Sequence, residues 1–433
     1  MKLIKLSFIL AVAVMAIVGL GSTSYAFHDG GVARCESCHT MHNSYMQGAM
    51  SGTKTTTAGA YGTGNVGASA IFLLRGSDQS STCLNCHEGP TLSSYHVSTP
   101  LTSFVNSAPA NRGPGGDFGW LKVATTTSTS SNMDRHGHNI VAIDFGYAAD
   151  GTNLTAPGTN FDAKQLNCIS CHNPHNSLRR IDEAGTQANT GAPIVASGSY
   201  DTSPAATGTA AVGVFRFLRG ANAAPKSYNF PFSVTAPDAV SPKTYNRTEA
   251  VSETHVAYGQ GMSQWCGNCH GAFYDTAYSS GNAGHGHPTD VTLGGSTPAI
   301  LTNYNAYVKT GDMTGDAGVT KGGYSSLVPV EMGIKDYTVL KTAATNTANG
   351  GSNPGADAGS KVMCLSCHRA HAGGFESMTR FYVAGTITDA AGAYTLASGQ
   401  TSTAQVKAAY YDRPETVFAS YQRTLCNKCH AKD

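Results

Sequence analysis

Charge is what this sequence has least of: charged residues make up 13% of its 433 positions, about half the usual share in globular chains. The 28 basic and 27 acidic side chains leave a formal net charge of +1 and no basic patch, which excludes a nucleic-acid binder. Long apolar runs are equally scarce. Only Leu6 to Leu20 qualifies, and Lys2 and Lys5 before it with Ser24 and Ala26 after it make residues 1–26 read as a cleaved secretory signal peptide. As a permanent membrane span the run is short, so there is no transmembrane segment in this reading. The mature chain is expected to start at Phe27, outside the cytosol. Cysteine outside one repeated pattern is missing altogether.

That pattern is Cys-x-x-Cys-His, and its six copies use all twelve cysteines. They are Cys35, Cys38 and His39; Cys83, Cys86 and His87; Cys168, Cys171 and His172; Cys266, Cys269 and His270; Cys364, Cys367 and His368; and Cys426, Cys429 and His430. Two thiols at this spacing add to the vinyl groups of one haem, and the histidine that follows is held beneath the iron as its proximal ligand. Competing readings leave something over. A thioredoxin-like site needs one such pair and no histidine, structural zinc leaves the adjacent histidine without a role, and disulfides leave the fixed spacing unexplained. The implied cofactors are six covalently bound haems c. Their propionates add negative charge that the formal balance omits.

Successive first cysteines lie 48, 85, 98, 98 and 62 residues apart, so the chain is not a solenoid of equal units. The segments between motifs, such as Thr125 to Asn132, Ala184 to Gly213 and Thr342 to Ser360, are rich in small polar residues and read as ordered coil. The expected fold is mostly irregular coil with short helices and little strand, an elongated multihaem c-type cytochrome organised around a stacked haem chain. Residues 27–433 are taken as a single hexahaem domain, because large apolar macrocycles can replace a conventional core. Leu301, Tyr304 and Val308 share a helical face, and so do Val417, Tyr421 and Leu425 behind Pro414. Thr386 to Thr388 and Tyr394 to Leu396 read as a short hairpin. Trp120 and Trp265 are expected to pack against haem.

Ligation on the far side of each iron separates conduction from catalysis. Ten histidines lie outside the motifs: His28, His42, His96, His136, His138, His175, His255, His285, His287 and His371. Six would close every iron, so no catalytic residue is implied. His42, His175 and His371 each follow a proximal histidine by three residues. On a helical turn that offset puts both rings on one side, so the second ring reaches an adjacent haem rather than the same one. His136 and His285 each stand two residues from another candidate, and His28 and His255 have little supporting context.

The stretches Phe27 to Ala33, Gly115 to Trp120, Tyr258 to Met262, His368 to Arg380 and Leu425 to Asp433, with the six motifs, resemble the OmcS-type hexahaem outer-surface c-type cytochromes over nearly the whole mature chain. The resemblance implies a homopolymer, an extracellular filament whose haems carry respiratory electrons to minerals, electrodes or partner cells, fed by periplasmic or outer-membrane cytochromes. It also implies bis-histidine ligation with His42, His96, His138, His175, His287 and His371 as the distal set and His28 in reserve. His42 is then the inter-subunit ligand, reaching the haem at Cys364 and Cys367 of the adjoining subunit. Two alternatives remain: a multihaem oxidoreductase of the nitrite or hydroxylamine type, and a monomeric periplasmic shuttle. The first needs an open iron, and some such enzymes carry lysine in place of a motif histidine, whereas all six motifs here keep histidine.

Overall fold

A computed structural model describes residues 35–40, 44–45, 48–49, 73–90, 95–123, 133–175, 178–189, 192–207, 209–221, 230–242, 256–274, 289–295, 298–306, 325–348, 355–397 and 400–430. Among them regular structure is sparse. Helices rarely exceed one or two turns, and the strands Leu178–Arg180, Gln187–Asn189, Val212–Gly213, Ala239–Val240 and Ala257–Tyr258 hold two or three residues each. Gln187–Asn189, Leu178–Arg180 and Val212–Gly213 form one antiparallel sheet in that order, and Ala239–Val240 pairs with Ala257–Tyr258. No described helix is long and apolar enough to cross a membrane. Mostly irregular backbone is what this composition predicts.

The longest described helix corrects the sequence reading. Tyr337–Ala348 is helical although Thr342 onward reads as coil. Asp336 caps it, accepting from Val339 N at 3.0 Å, and Tyr337, Leu340, Ala343 and Ala344 form a buried stripe against Val240 and Ala257. The small residues that suggest coil are what let this helix lie flat on the two-stranded sheet. The stretch from Ala184 to Gly213 likewise contains two of the strands.

Two further expectations divide. Pro298–Ala306 is a helix carrying Leu301 and Tyr304, while Val308 falls outside the described residues. Val417 to Leu425 is not helical: a single tight turn at Glu415–Val417 is followed by Tyr421 in a left-handed conformation, φ 59°. The segment is pulled into pairing instead, with Gln422 O accepting from Ile387 N at 2.6 Å and Gln422 N donating to Thr388 Oγ1 at 3.3 Å. The hairpin expectation holds at its centre, where Thr388 and Tyr394 bridge around the turn at Asp389. One large apolar cluster draws on residues from Ala108 to Leu425, with Trp120 and Phe375 within it. Trp120 is therefore a core residue of the protein, and Trp265 donates its indole N–H to Arg219 O at 2.6 Å.

Candidate haem-binding site

Most motifs are built on a short helical turn, and motif 2 on a longer helix. Cys35–Cys38, Cys168–Cys171 and Cys364–Cys367 are four-residue helices, while Cys83 and Cys86 lie in Gln79–His87 and Cys266 closes Met262–Cys266. At the third and fifth motifs the serine between the cysteines anchors the start, Ser170 Oγ accepting from Asn167 N at 3.0 Å and Ser366 Oγ from Met363 N at 3.1 Å. The proximal histidine then donates its backbone N–H to the first cysteine's carbonyl. This bond measures 2.8 Å at His39, 2.9 Å at His172, 3.0 Å at His270, 3.0 Å at His368 and 2.9 Å at His430. It closes the turn with the histidine's backbone against the first cysteine.

Three motifs share a second device that sequence reasoning missed. At motifs 1, 3 and 5 a distant segment runs beside the proximal histidine, bridging His39 to Leu74, His172 to Leu218 and His368 to Thr379. The next residue is arginine each time, and its N–H closes on the second cysteine: Arg75 on Cys38 O at 2.9 Å, Arg219 on Cys171 O at 2.8 Å and Arg380 on Cys367 O at 2.7 Å. The residue before each bridge is left-handed, with φ of 51° at Leu73, 54° at Phe217 and 48° at Met378. Arg216 and Ser377 precede two of them at φ 49° and 57°. Non-glycine residues in this region cost about 1–2 kcal/mol each. What the strain secures is a carbonyl aimed at the ring. His172 Nδ1 donates to Arg216 O and His368 Nδ1 to Ser377 O, both at 2.8 Å. The only sequence trace of the device is Leu-Arg-Gly at Leu74–Gly76 and again at Leu218–Gly220.

Those bonds decide the tautomer, because a carbonyl only accepts. With Nδ1 carrying the proton, Nε2 presents a lone pair for a metal. His270 does the same through Pro157 O at 3.0 Å, His87 through Tyr95 O, and the non-motif His138 through Ala370 O at 2.7 Å.

Among the described residues non-motif histidines stand opposite proximal ones at His39, His172 and His270. Ring centroids are 6.2 Å apart for His39 and His175, 6.3 Å for His172 and His371, and 6.0 Å for His138 and His270. A metal–nitrogen bond of about 2.0 Å on each side, plus roughly 1.2 Å from nitrogen to ring centre, gives about 6.4 Å for two imidazoles sharing one ion. The residues therefore fit haem iron between them. Burial and then the neighbouring His270 hold His138 down to about 4, and burial and then His172 hold His371 at about 3, so both are neutral, as a ligand must be. His96 lies beside His87 and presses on Gly89, where an added Cβ would come 2.2 Å from its ring. His136 is buried and donates from Nδ1 to Gly373 O at 3.1 Å. His28, His42, His255, His285 and His287 lie outside the described residues.

The thiols give the spatial order of the sites. Cys38 neighbours Cys86, Cys171 neighbours Cys269, and Cys367 neighbours Cys426 and Cys429. Between these lie closer junctions in which Cys83 and Cys266 donate to Cys168 and Cys364, raising the donor and lowering the acceptor. The six sites therefore follow one another in sequence order: second thiols are neighbours at junctions 1–2 and 3–4, first thiols at 2–3 and 4–5, and at 5–6 the second thiol of motif 5 neighbours both thiols of motif 6.

No protein-family model matches the chain. The C-type cytochrome OmcS of Geobacter sulfurreducens is 46% identical to it over 450 residues, spanning 98% of each protein. The chain belongs to the OmcS family of c-type cytochromes. Two solved structures carry the same fold. One is the cryo-EM structure of OmcS nanowires from Geobacter sulfurreducens, with a TM-score of 0.78 at 45% identity, and the other is an Outer Membrane Cytochrome S filament, with a TM-score of 0.77 at 46% identity. Each is matched over 94% of this chain and all of its own. Family membership and the six motifs make this a hexahaem electron-transfer protein. Haem c would supply one-electron iron chemistry, and the twelve thiols and the paired imidazoles would hold and orient it.

Proposed function

We propose that this protein polymerises end to end into an extracellular filament that conducts respiratory electrons, with every iron closed by two histidines and no substrate chemistry of its own. Residues 1–26 direct export and are removed, and residues 27–433 act as one unit. The electrons come from periplasmic or outer-membrane cytochromes and leave to minerals, electrodes or partner cells.

One observation carries the polymer reading. The histidine three residues beyond the motif 5 proximal ligand, His371, pairs with His172 of motif 3, and its counterpart beyond motif 3, His175, pairs with His39 of motif 1. Each such histidine serves the odd-numbered site before it. His42 has this position at motif 1, the first of the six motifs, while His368 of motif 5 has no ring opposite it at that spacing among the described residues. The same step taken across a subunit boundary gives His42 to the iron held by His368 of the adjoining copy. Within a subunit His138 then serves His270, His96 serves the neighbouring His87, and His287 serves His430, with His28 in reserve.

Replacing His42 by alanine is expected to leave six covalent haems per chain and to abolish filaments, read by haem staining of denaturing gels and by electron microscopy of the secreted material. Filaments that persist with the fifth site low-spin would sink the inter-subunit assignment.

A further inference from the structure

Glu331 is an acid where the fold has little reason to place one. Its side chain is 1% exposed, and only one carboxylate oxygen is served, Oε2 accepting from Met262 N at 3.2 Å. Oε1 is buried without a hydrogen-bond partner, an arrangement that costs about 1–3 kcal/mol, more for an ionised group. Burial is the largest influence on this carboxyl and drives it up to about 7; the Met262 N–H, Lys361 and the Gly261 N–H pull it down, and Asp290 pushes it further up.

Its position ties it to two haem sites. Glu331 exchanges backbone hydrogen bonds with Lys361, 3.0 and 2.8 Å long, three residues ahead of Cys364. Its carboxylate meets the first residue of Met262–Cys266, the helix that ends on the first thiol of motif 4. These two segments touch directly, since Cys364 N donates to Ser263 Oγ at 3.2 Å and the Cys266 and Cys364 thiols are hydrogen bonded. The charged and titratable groups facing the carboxyl are few. Lys361 is ion paired with Asp290, Asp290 accepts from Tyr274 OH at 3.3 Å, and the Tyr258 segment bridges Glu331 on its other side. The side chains of Lys361 and Asp290 keep 14% and 26% of their exposure, so the cluster opens to solvent through them.

We propose that Glu331 is a proton-binding site coupled to the redox state of motifs 4 and 5. One electron arriving from a neighbouring site converts ferric to ferrous iron, and one proton from solvent converts the Glu331 carboxylate to the carboxylic acid, so the charge between the two motifs is conserved. A unit charge on the order of 10 Å away at an effective dielectric of about 20 changes proton affinity roughly tenfold, enough to move this group across neutrality. The inference requires haem at motifs 4 and 5 and is independent of polymerisation.

The test is a spectroelectrochemical titration of the haem-loaded protein and of Glu331→Gln, from about pH 6 to about pH 8, with haem content checked first. Native protein is expected to show potentials that fall as pH rises, and the variant to lose part of that slope. Haem propionates titrate in both, so the difference between the two is the readout. Infrared difference spectra of native protein carrying carbon-13 glutamate, before and after dithionite reduction, should gain an acid carbonyl band. Should Glu331→Gln fail to load haem, this spectrum alone decides. Equal slopes in two fully loaded proteins, or no such band, would overturn the proposal.

Discussion

Motifs 1, 3 and 5 are clamped by a distant segment and followed at three residues by a second histidine; motifs 2, 4 and 6 lack that histidine and, among the described residues, show no such clamp. The even motifs orient their rings differently: His87 turns to Tyr95 O eight residues ahead, and His270 to Pro157 O more than a hundred residues back. Junctions between motifs follow the same division. Second thiols are neighbours in the pairs 1–2 and 3–4, Cys367 neighbours both thiols of motif 6, and first thiols meet between motifs 2 and 3 and between 4 and 5. The structural unit is thus a pair of sites, used three times. Its odd member carries the clamp, and at motifs 3 and 5 the histidine three residues further on stands opposite the proximal ring of the preceding odd site. Unequal loop lengths conceal this unit in the sequence, because the loops lengthen or shorten without disturbing the clamp.

The most damaging way to break the comparison is to remove one back-passed ligand inside the subunit. His371→Ala takes away the ring opposite His172 while leaving every attachment cysteine and proximal histidine in place. The expected result is a high-spin ferric signal worth about one haem in six by electron paramagnetic resonance, located at motif 3 although the substitution lies beside motif 5. His136→Ala, which touches no proximal ring among the described residues, should leave an all-low-spin spectrum. A high-spin signal at motif 5 in the His371 variant would refute the back-passing rule.

Next in size is loss of a clamp arginine. Arg380 is fully buried, with Nε donating to Leu365 O at 2.6 Å and His368 O at 3.1 Å and Nη1 to Ser326 O at 3.0 Å. Arg380→Ala strands those carbonyls and should cost about 3 kcal/mol or more, measured by guanidinium unfolding of the loaded protein. Lysine is not expected to rescue it, because a point ammonium cannot reproduce the planar fork. Arg75 holds the equivalent backbone position at motif 1 but is exposed, so Arg75→Ala should stay within about 0.5 kcal/mol. Equal losses at Arg75 and Arg380 would mean that the clamp works through its backbone alone.

The chemistry was more legible than the framework that delivers it. Cys-x-x-Cys-His and the three-residue offset to His42, His175 and His371 are local patterns, and a covalent requirement writes them directly into the sequence. The clamps are not local: His172 meets Leu218 46 positions away, and the left-handed residues that aim the carbonyls are arginine, phenylalanine, serine, methionine and leucine, none of which announces that conformation. Tyr337–Ala348 was hidden for a related reason. Its helicity comes from burial of Tyr337, Leu340 and Ala344 against a sheet formed elsewhere in the chain, so its own small polar residues carried the wrong signal. At Val417 to Leu425 the error ran the other way, where an apolar helical period lost to pairing with Ile387 and Thr388. Tertiary contact decided each case.

The smallest effect tests whether the clamps are strained. Ser377 is exposed at φ 57°, and its contribution to motif 5 is the carbonyl that receives His368 Nδ1. Glycine at this position relieves a left-handed cost of about 1 kcal/mol but adds freedom to the unfolded chain. Ser377→Gly is therefore expected to stabilise the loaded protein by about 0.5 kcal/mol without changing its spectrum, while Ser377→Val, branched at Cβ, should lose 1 kcal/mol or more. If glycine and valine shift stability in the same direction, the backbone there is not held against its preference, and the odd sites differ from the even ones in connection only.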